Sequence, residues 1–300
     1  MDISVIIVNY NTGQITKECL DSIFAQTHNI TFEVIVVDNA STDNSYQLLS
    51  NYPQIKYIES PNNLGFGKAN NLGYQYTSGD YILLLNSDTI LKNNALFYFV
   101  ENFKKQSPNI ACIGSWLQST DGSLNNSGGN FPSIKRSLFS TLEFYMRCIG
   151  INKQNRIAIS NQDEIKEIDY IIGADLCIRR NIIEELGMFD PDFFMYYEET
   201  EMQYRYHNAG YKMLIIPGPQ IVHLERASTR NKNKKYSYIN RKMFLHGQFL
   251  YFRKVYNYPL YLLYRLIYLL NFPMFLMPYY TWNEKILLLK HILSSSKSII

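Results

Sequence analysis

The feature that most constrains this chain is Tyr81-Ile82-Leu83-Leu84-Leu85-Asn86-Ser87-Asp88. An apolar run of strand length stops abruptly in Asn-Ser-Asp. A buried strand that ends in a carboxylate places that carboxylate at the carboxyl edge of a sheet, where open α/β sheets bind ligands. Taken alone, the run fits an ordinary strand followed by a polar turn, because short apolar runs are common. Its neighbours reverse that balance.

Ser4–Asn11 reads as a buried strand running into a polar turn, and Ile15, Cys19, Leu20, Ile23 and Phe24 then recur at helical spacing, with caps at Asn11 or Thr12. Phe32–Val37 is a second, β-branched strand ending at Asp38. The loop Asn39–Asp43 leads to a helix reaching about Tyr52, and a short strand lies near Lys56-Tyr57-Ile58. Asn62–Asn71 is a Gly/Asn-rich turn entering another helix, and Tyr81–Leu85 is the fourth strand. This alternation implies an α/β fold with a mostly parallel sheet over residues 1–115.

Two strands therefore end in carboxylates, Asp38 and Asp88, on one sheet edge. A carboxylate there can accept a hydrogen bond from a base or a ribose, and another can hold a divalent cation that bridges a diphosphate. No Gly-x-Gly-x-x-Gly follows the first strand and no Gly-Lys-Ser/Thr loop is present, which disfavours a dinucleotide dehydrogenase and a P-loop enzyme.

The pattern weakens from Gln118 to Glu167, with a helix expected around Ser137–Cys148. It returns in the apolar run Ile168–Arg179, interrupted by Gly173-Ala174-Asp175, and in a helix from Asn181 to Leu186 stopped by Gly187. Phe189–Arg205 then interleaves aromatic residues with carboxylates. Helical phase groups Glu198, Glu201, Met202 and Arg205 and leaves Glu199 on a neighbouring face. A carboxylate at a helix head against aromatic rings suits a general base, but a helix N-terminus also favours Glu through its dipole. Lys212–Ile216 and Ile221–His223 read as strands.

Three hundred residues, 46% of them hydrophobic, allow one large domain or a domain with an appendage. The first strand starts almost at the N-terminus without a secretory signal pattern, and Cys19, Cys112, Cys148 and Cys177 lack metal spacing. Both point to a cytosolic protein with reduced core thiols. Of 29 basic and 26 acidic residues, 13 basic and one acidic lie from Arg226 onward, which leaves 16 and 25 before it. An acidic body thus precedes a basic tail that seeks a negative surface.

These pieces, in this order, resemble the family-2 glycosyltransferases, especially the bacterial rhamnosyltransferase-like group. The matching segments are Ser4–Asn11, Val37–Asp43, Asn63–Gly67, Leu85–Asp88, Gly173-Ala174, Phe189–Arg205, and His223 with Ser228-Thr229, about three quarters of the chain. The resemblance implies a GT-A fold, a nucleotide-sugar donor, Mn2+ or Mg2+, and inversion at the anomeric carbon. It would put Asn9, Tyr10, Asp38, Asn63, Gly65, Asn86, Ser87 and Asp88 at the donor, Asp88 and His223 on the metal, and Glu199 at the catalytic base. Gly173, Ala174, Asp175 and Glu198 would lie on the acceptor side, and Arg226 or Arg230 near the diphosphate. Two departures stand out: Asn86 replaces the first Asp of the Asp-x-Asp motif, and Glu199 replaces the usual Asp, with Glu198 and Glu201 as fallback bases. The implied donor is a dTDP- or UDP-sugar, and the implied acceptor is a glycan, lipid-linked, in cell-surface polysaccharide synthesis of the O-antigen or capsule kind.

The expected domains are 1–225, with a nucleotide half 1–115 and an acceptor half 116–225, and a helical C-terminal region 226–300. Tyr236–Val255 suits an amphipathic helix. Tyr258–Tyr280 is apolar but broken by Arg265, Pro273 and Pro278, short of the ~20 apolar residues a spanning helix needs. The tail is expected to meet an anionic membrane at the cytoplasmic face, or else to pack as a helical subdomain or a homo-oligomer contact. Nucleic acid fits poorly against the acidic body. The competing readings are an inactive nucleotide-sugar-binding scaffold subunit, which the retained Asp38, Asp88, Glu199 and His223 argue against, and a nucleotidyltransferase, which lacks its glycine- and lysine-rich loop.

Overall fold

Strand β2 (Phe32–Asp38) shows how the sequence builds layers. Successive side chains alternate across a sheet. Val34 and Val36 enter one core with Ile3, Val5 and Ile7 of β1 (Ile3–Asn9). Ile35 and Val37 face the opposite side, where Ala69 and Leu72 pack. Strands buried on both faces read as unbroken apolar runs.

The computed structural model describes residues 1–148, 163–224, 238–270 and 280–293. From the N-terminus, β1, α1 (Gly13–Gln26), β2, α2 (Ser45–Leu49), β3 (Ile55–Glu59), α3 (Phe66–Tyr74) and β4 (Tyr81–Leu85) alternate as expected. Then come β5 (Thr89–Leu91), α4 (Ala95–Lys105), β6 (Ile110–Ser115), β7 (Gly128–Gly129), α5 (Ile134–Cys148), β8 (Lys166–Ile168), β9 (Tyr170–Ile171) and β10 (Asp175–Arg179). The remainder is α6 (Arg180–Leu186), α7 (Glu198–Asn208), β11 (Lys212–Ile216), β12 (Ile221–His223), α8 (Tyr238–Val255), α9 (Tyr258–Leu270) and α10 (Trp282–Leu293).

The main sheet has the order β3-β2-β1-β4-β10-β6-β11-β8. Strands β3, β2, β1 and β4 are mutually parallel, and β11 is parallel to β6. Strand β10 is antiparallel to both of its neighbours, and β8 is antiparallel to β11. Its Leu176, Cys177 and Ile178 are buried like those of a parallel strand, so the sequence pattern did not carry its direction.

The described residues form two compact units. One holds 1–130, 163–194 and 198–224; the other holds 131–148, 195–197, 238–270 and 280–293. In the second, the Phe252 ring of α8 stacks on Tyr264 of α9 at 3.5 Å, and the Arg265 Nε–H donates to the Ile292 carbonyl of α10 at 3.1 Å. Helix α8 departs from the amphipathic expectation. Leu245, Gly247, Phe249, Tyr251 and Phe252 are buried, and along its length Ile239, Arg253 and Lys254 alone are exposed. Its aromatic residues serve packing inside the bundle. No helix among the described residues is long and apolar enough to cross a membrane. All four cysteines are free; Cys19, Cys112 and Cys177 are core thiols, whereas Cys148 is exposed at the end of α5.

Candidate active site

Strand β1 lies between β2 and β4, so the chain switches direction across the sheet between β1 and β4. A crevice opens at such a point beyond the carboxyl ends of the strands. Asn9, Asp38 and Asn86-Ser87-Asp88 stand at those ends. Asn9 pairs in register with Asp38. Its Nδ2 donates to Asp38 Oδ1 at 2.7 Å and to Ser41 Oγ at 3.0 Å, while its Oδ1 accepts from Thr12 Oγ1 at 3.0 Å and Thr16 Oγ1 at 2.7 Å. The Ser41 hydroxyl donates to Asp38 Oδ1 at 2.5 Å, and the Ser41 N–H reaches Oδ2 at 3.3 Å. The Asp38 carboxylate is therefore fixed in place before any ligand arrives. Tyr10 is exposed beside it.

Asn39 braces the next turn. Its Nδ2 donates to Asn63 Oδ1 at 3.0 Å and to the Gly65 carbonyl at 3.3 Å, and its Oδ1 accepts the Leu64 N–H at 2.8 Å. Asn63 Oδ1 also accepts the Gly65 N–H at 2.9 Å. Gly65 has φ +79° and ψ −179°, a conformation essentially confined to glycine.

The other half of the edge gathers Asn86, Asp88 and His223. Strand β12 pairs antiparallel with β5, opposing His223 to Thr89, and the Leu224 N–H donates to the Asp88 carbonyl at 2.9 Å. His223 Nε2 consequently lies 3.3 Å from Asp88 Oδ1 and 3.3 Å from Asn86 Nδ2. Ser87 Oγ is 3.4 Å from Thr12 Oγ1. No three His, Cys, Asp or Glu side chains cluster as a metal site among the described residues. One carboxylate and one imidazole do fit a divalent cation whose shell is completed by substrate phosphate oxygens and water.

Gly173 and Ala174 adjoin this edge, and the Asn86 N–H donates to the Ala174 carbonyl at 3.0 Å. Asp175 is fully buried inside the sheet. Its Oδ2 accepts the Ser115 N–H at 2.7 Å and the Ser115 hydroxyl at 2.5 Å, while Oδ1 has no hydrogen-bond partner among the described residues. Burial pushes its carboxyl up to about 7, against the Ser115 bonds and the influence of His223.

Helix α7 opens with Glu198, Glu199 and Glu201, where the dipole favours anions. Glu198 is 3% exposed, and its Oε2 has no hydrogen-bond partner among the described residues. Burial, then the neighbouring Glu199 charge, drives its carboxyl well above the usual range. Glu199 is half-buried, and desolvation pushes it up to about 7. Glu201 is bound to Arg205 at 2.9 Å, which suits a structural role. Gln203 ties the helix down: it exchanges bonds with both main-chain groups of Ile171 at 2.7 and 2.9 Å and donates to the Glu199 carbonyl at 2.9 Å. Tyr170, on the adjoining strand, is pushed up by burial and by the Glu199 charge.

The family model described as Glycosyl transferase family 2 matches residues 4–187. The chain belongs to this family. It is 27% identical over 210 residues to a low-salt glycan biosynthesis hexosyltransferase of Haloferax volcanii, covering 68% of this chain and 61% of that one. It is 24% identical over 241 residues to an N-acetylglucosaminyl-diphospho-decaprenol L-rhamnosyltransferase of Mycobacterium tuberculosis, covering 75% and 76%. In fold it is similar to GalNAc-T7, crystallised with UDP, GalNAc and Mn2+, with a TM-score of 0.58 and 18% identity over 82% of this chain and 47% of that one. The sheet with its flanking helices is thus the GT-A arrangement of family-2 glycosyltransferases, in the rhamnosyltransferase-like group.

Arg226 and Arg230, with Ser228-Thr229, lie outside the described residues. Sequence reasoning gave Thr12 only a helix-capping role, whereas its hydroxyl bonds Asn9 and makes no cap bond, and it did not single out Thr16, Ser41 or Gln203. The Asn-Ala-Ser-Thr-Asp loop was visible, but the inward turn of Ser41 onto Asp38 depends on Ala40 at φ +63°.

Proposed function

We propose that this family-2 glycosyltransferase moves a sugar, with inversion, from a dTDP- or UDP-linked donor to a hydroxyl of a lipid-linked glycan in bacterial cell-surface polysaccharide synthesis. The observation that carries this reading is the gathering of Asp38, Asp88 and His223 at the carboxyl edge on both sides of the switch point. Residues 1–115 serve the donor, 116–225 the acceptor, and 226–300 a peripheral contact with the cytoplasmic face of an anionic membrane.

Asp38, pre-set by Asn9 and Ser41, accepts hydrogen bonds from the base or ribose, and the turn at Asn63 and Gly65 underlies the nucleoside. Asp88 and His223 would hold Mn2+ or Mg2+, which when bound offsets the negative charge of the diphosphate. Glu199 takes the acceptor proton as the hydroxyl oxygen bonds to the anomeric carbon, and the bond to the nucleoside diphosphate breaks on the opposite face. A base held near 7 is matched to this task at neutral pH. Burial, then the Glu199 charge, raises Glu198 well above the usual range, which favours Glu199 over Glu198 as the ionised member of the pair.

The test is thermal stability measured with nucleoside diphosphates and nucleotide-sugars, with and without Mn2+. A ligand that binds only the folded state adds about 2.7 kcal/mol at a hundredfold excess over Kd. A metal-dependent gain with one nucleotide, lost in Asp88→Ala, supports the reading. A folded protein that gains nothing from any nucleotide overturns it.

A further inference from the structure

The second unit carries apolar side chains where a water-facing surface should not. On α5, Leu138, Phe139, Leu142, Tyr145 and Met146 are all exposed, and Thr141 is the helix's one buried residue. At 100° per residue these five span an arc of about 120°. Lys135, exposed, falls within that arc, and Arg136 and Arg147, both exposed, lie beyond its Phe139 edge next to Glu143. On α9, Leu262, Leu263, Leu266 and Leu270 are exposed on one stripe without a charge, while Tyr261, Tyr264 and Tyr268 on the other side are buried. The two stripes adjoin, because the Tyr145 hydroxyl donates to the Leu270 carbonyl. On α10, Trp282, Ile286 and Leu293 are exposed beside Lys290.

We propose that the exposed apolar faces of α5, α9 and α10 form a docking surface for an anionic lipid bilayer. This deepens, and rests on, the peripheral membrane contact of the proposed function. It places that contact partly on α5, far from the C-terminal region in sequence. Charge selects the occupant. The described residues of this unit hold ten Lys and Arg against two Glu. A second copy would bring like charge onto like charge, whereas anionic headgroups meet the cations while the Leu, Phe, Met and Trp side chains enter the acyl boundary. No described helix is long and apolar enough to cross, so the arrangement is that of a surface lying on the membrane.

The experiment is co-sedimentation of the full chain with vesicles of phosphatidylcholine alone or with about a third phosphatidylglycerol. The protein is expected to bind the anionic vesicles and to lose affinity as salt rises. Leu142→Glu with Met146→Glu on α5, and separately Leu263→Glu with Leu266→Glu on α9, are each expected to weaken binding about tenfold or more. Arg136→Gln with Arg147→Gln changes no apolar contact and is expected to weaken binding to anionic vesicles alone. Each variant is checked for an unchanged melting temperature and an unchanged nucleotide-dependent shift. Binding that all three pairs leave unaltered overturns the proposal. So does a failure to bind vesicles by protein that still responds to nucleotide, or a dimer that the same substitutions dissociate without vesicle binding. Vesicle binding without any nucleotide response leaves this surface standing and defeats the donor-site reading instead.

Discussion

Gly65 lies against the main chain of Phe194: a Cβ built on Gly65 would stand 2.0 Å from the Phe194 carbonyl oxygen. The same oxygen accepts the Phe66 N–H at 2.9 Å. The turn beneath the proposed nucleoside site and the segment just before α7 are thus joined backbone to backbone, with no room for a side chain between them.

Gly65→Ala should cost stability twice, through its backbone conformation, about 1–3 kcal/mol, and through that contact. Gly122 separates the two effects. It also has φ +79° but open space where its Cβ would go. Gly122→Ala is expected to lower the melting temperature slightly. Gly65→Ala should lower it several degrees further and weaken nucleotide binding, as calorimetry and a nucleotide titration would show.

Glu199→Gln is expected to reduce turnover by roughly 10²- to 10⁴-fold, the usual contribution of a general base, while nucleotide binding stays intact. Because the base must be ionised, wild-type turnover should rise with pH through a midpoint near 7. Burial and the neighbouring Glu199 charge push the Glu198 carboxyl well above its usual range, toward the protonated form, so Glu198→Gln should retain most turnover and a similar acidic limb. Loss on Glu198→Gln with retention on Glu199→Gln would reverse the two assignments.

Asp88→Ala and His223→Ala should each abolish the part of the nucleotide-induced stabilisation that depends on Mn2+. Asn86→Ala removes a polar neighbour of His223 and no metal-binding carboxylate, so it should weaken that stabilisation less. A metal titration in the presence of the nucleotide measures the difference.

Asp175 makes stability depend on pH. Its folded carboxyl titrates about 7, above the ordinary value of 3.8. The folded state therefore holds the proton more tightly, and the resulting stability is full below about 4 and lost as pH rises through 7. Asp175→Asn keeps an acceptor for both Ser115 donors and removes the titration. Its melting temperature should vary less than that of the wild type between pH 4 and 8.

Much of this was readable from the chain because local chemistry wrote it there. The runs Val34–Val37 and Leu83–Leu85 could only be buried strands, and each stopped in polar residues at the edge where ligands bind. The approach of His223 to Asp88 was different. Ile221-Val222-His223 is an unremarkable short strand until its pairing with β5 sets His223 opposite Thr89, 134 positions back along the chain. The family pattern, not periodicity, pointed to it. The internal placement of Asp175 and the burial of α8 on nearly every side were hidden for the same reason: each is decided by neighbours distant in sequence.

Strand β10 has a consequence for how the protein is made. It fills the place beside β4, yet about 90 residues separate the end of one from the start of the other. A ribosome that has released β1 to β4 has produced four parallel strands in the order β3-β2-β1-β4, in which β4, an interior strand of the finished sheet, still stands at the edge with an unpaired flank. Such a flank is a template for the wrong chain. Closure must wait for a late, antiparallel arrival, a long-range pairing that forms slowly. Fragments ending before Asp175 should accordingly aggregate during synthesis, and the donor edge should be among the last regions to become rigid.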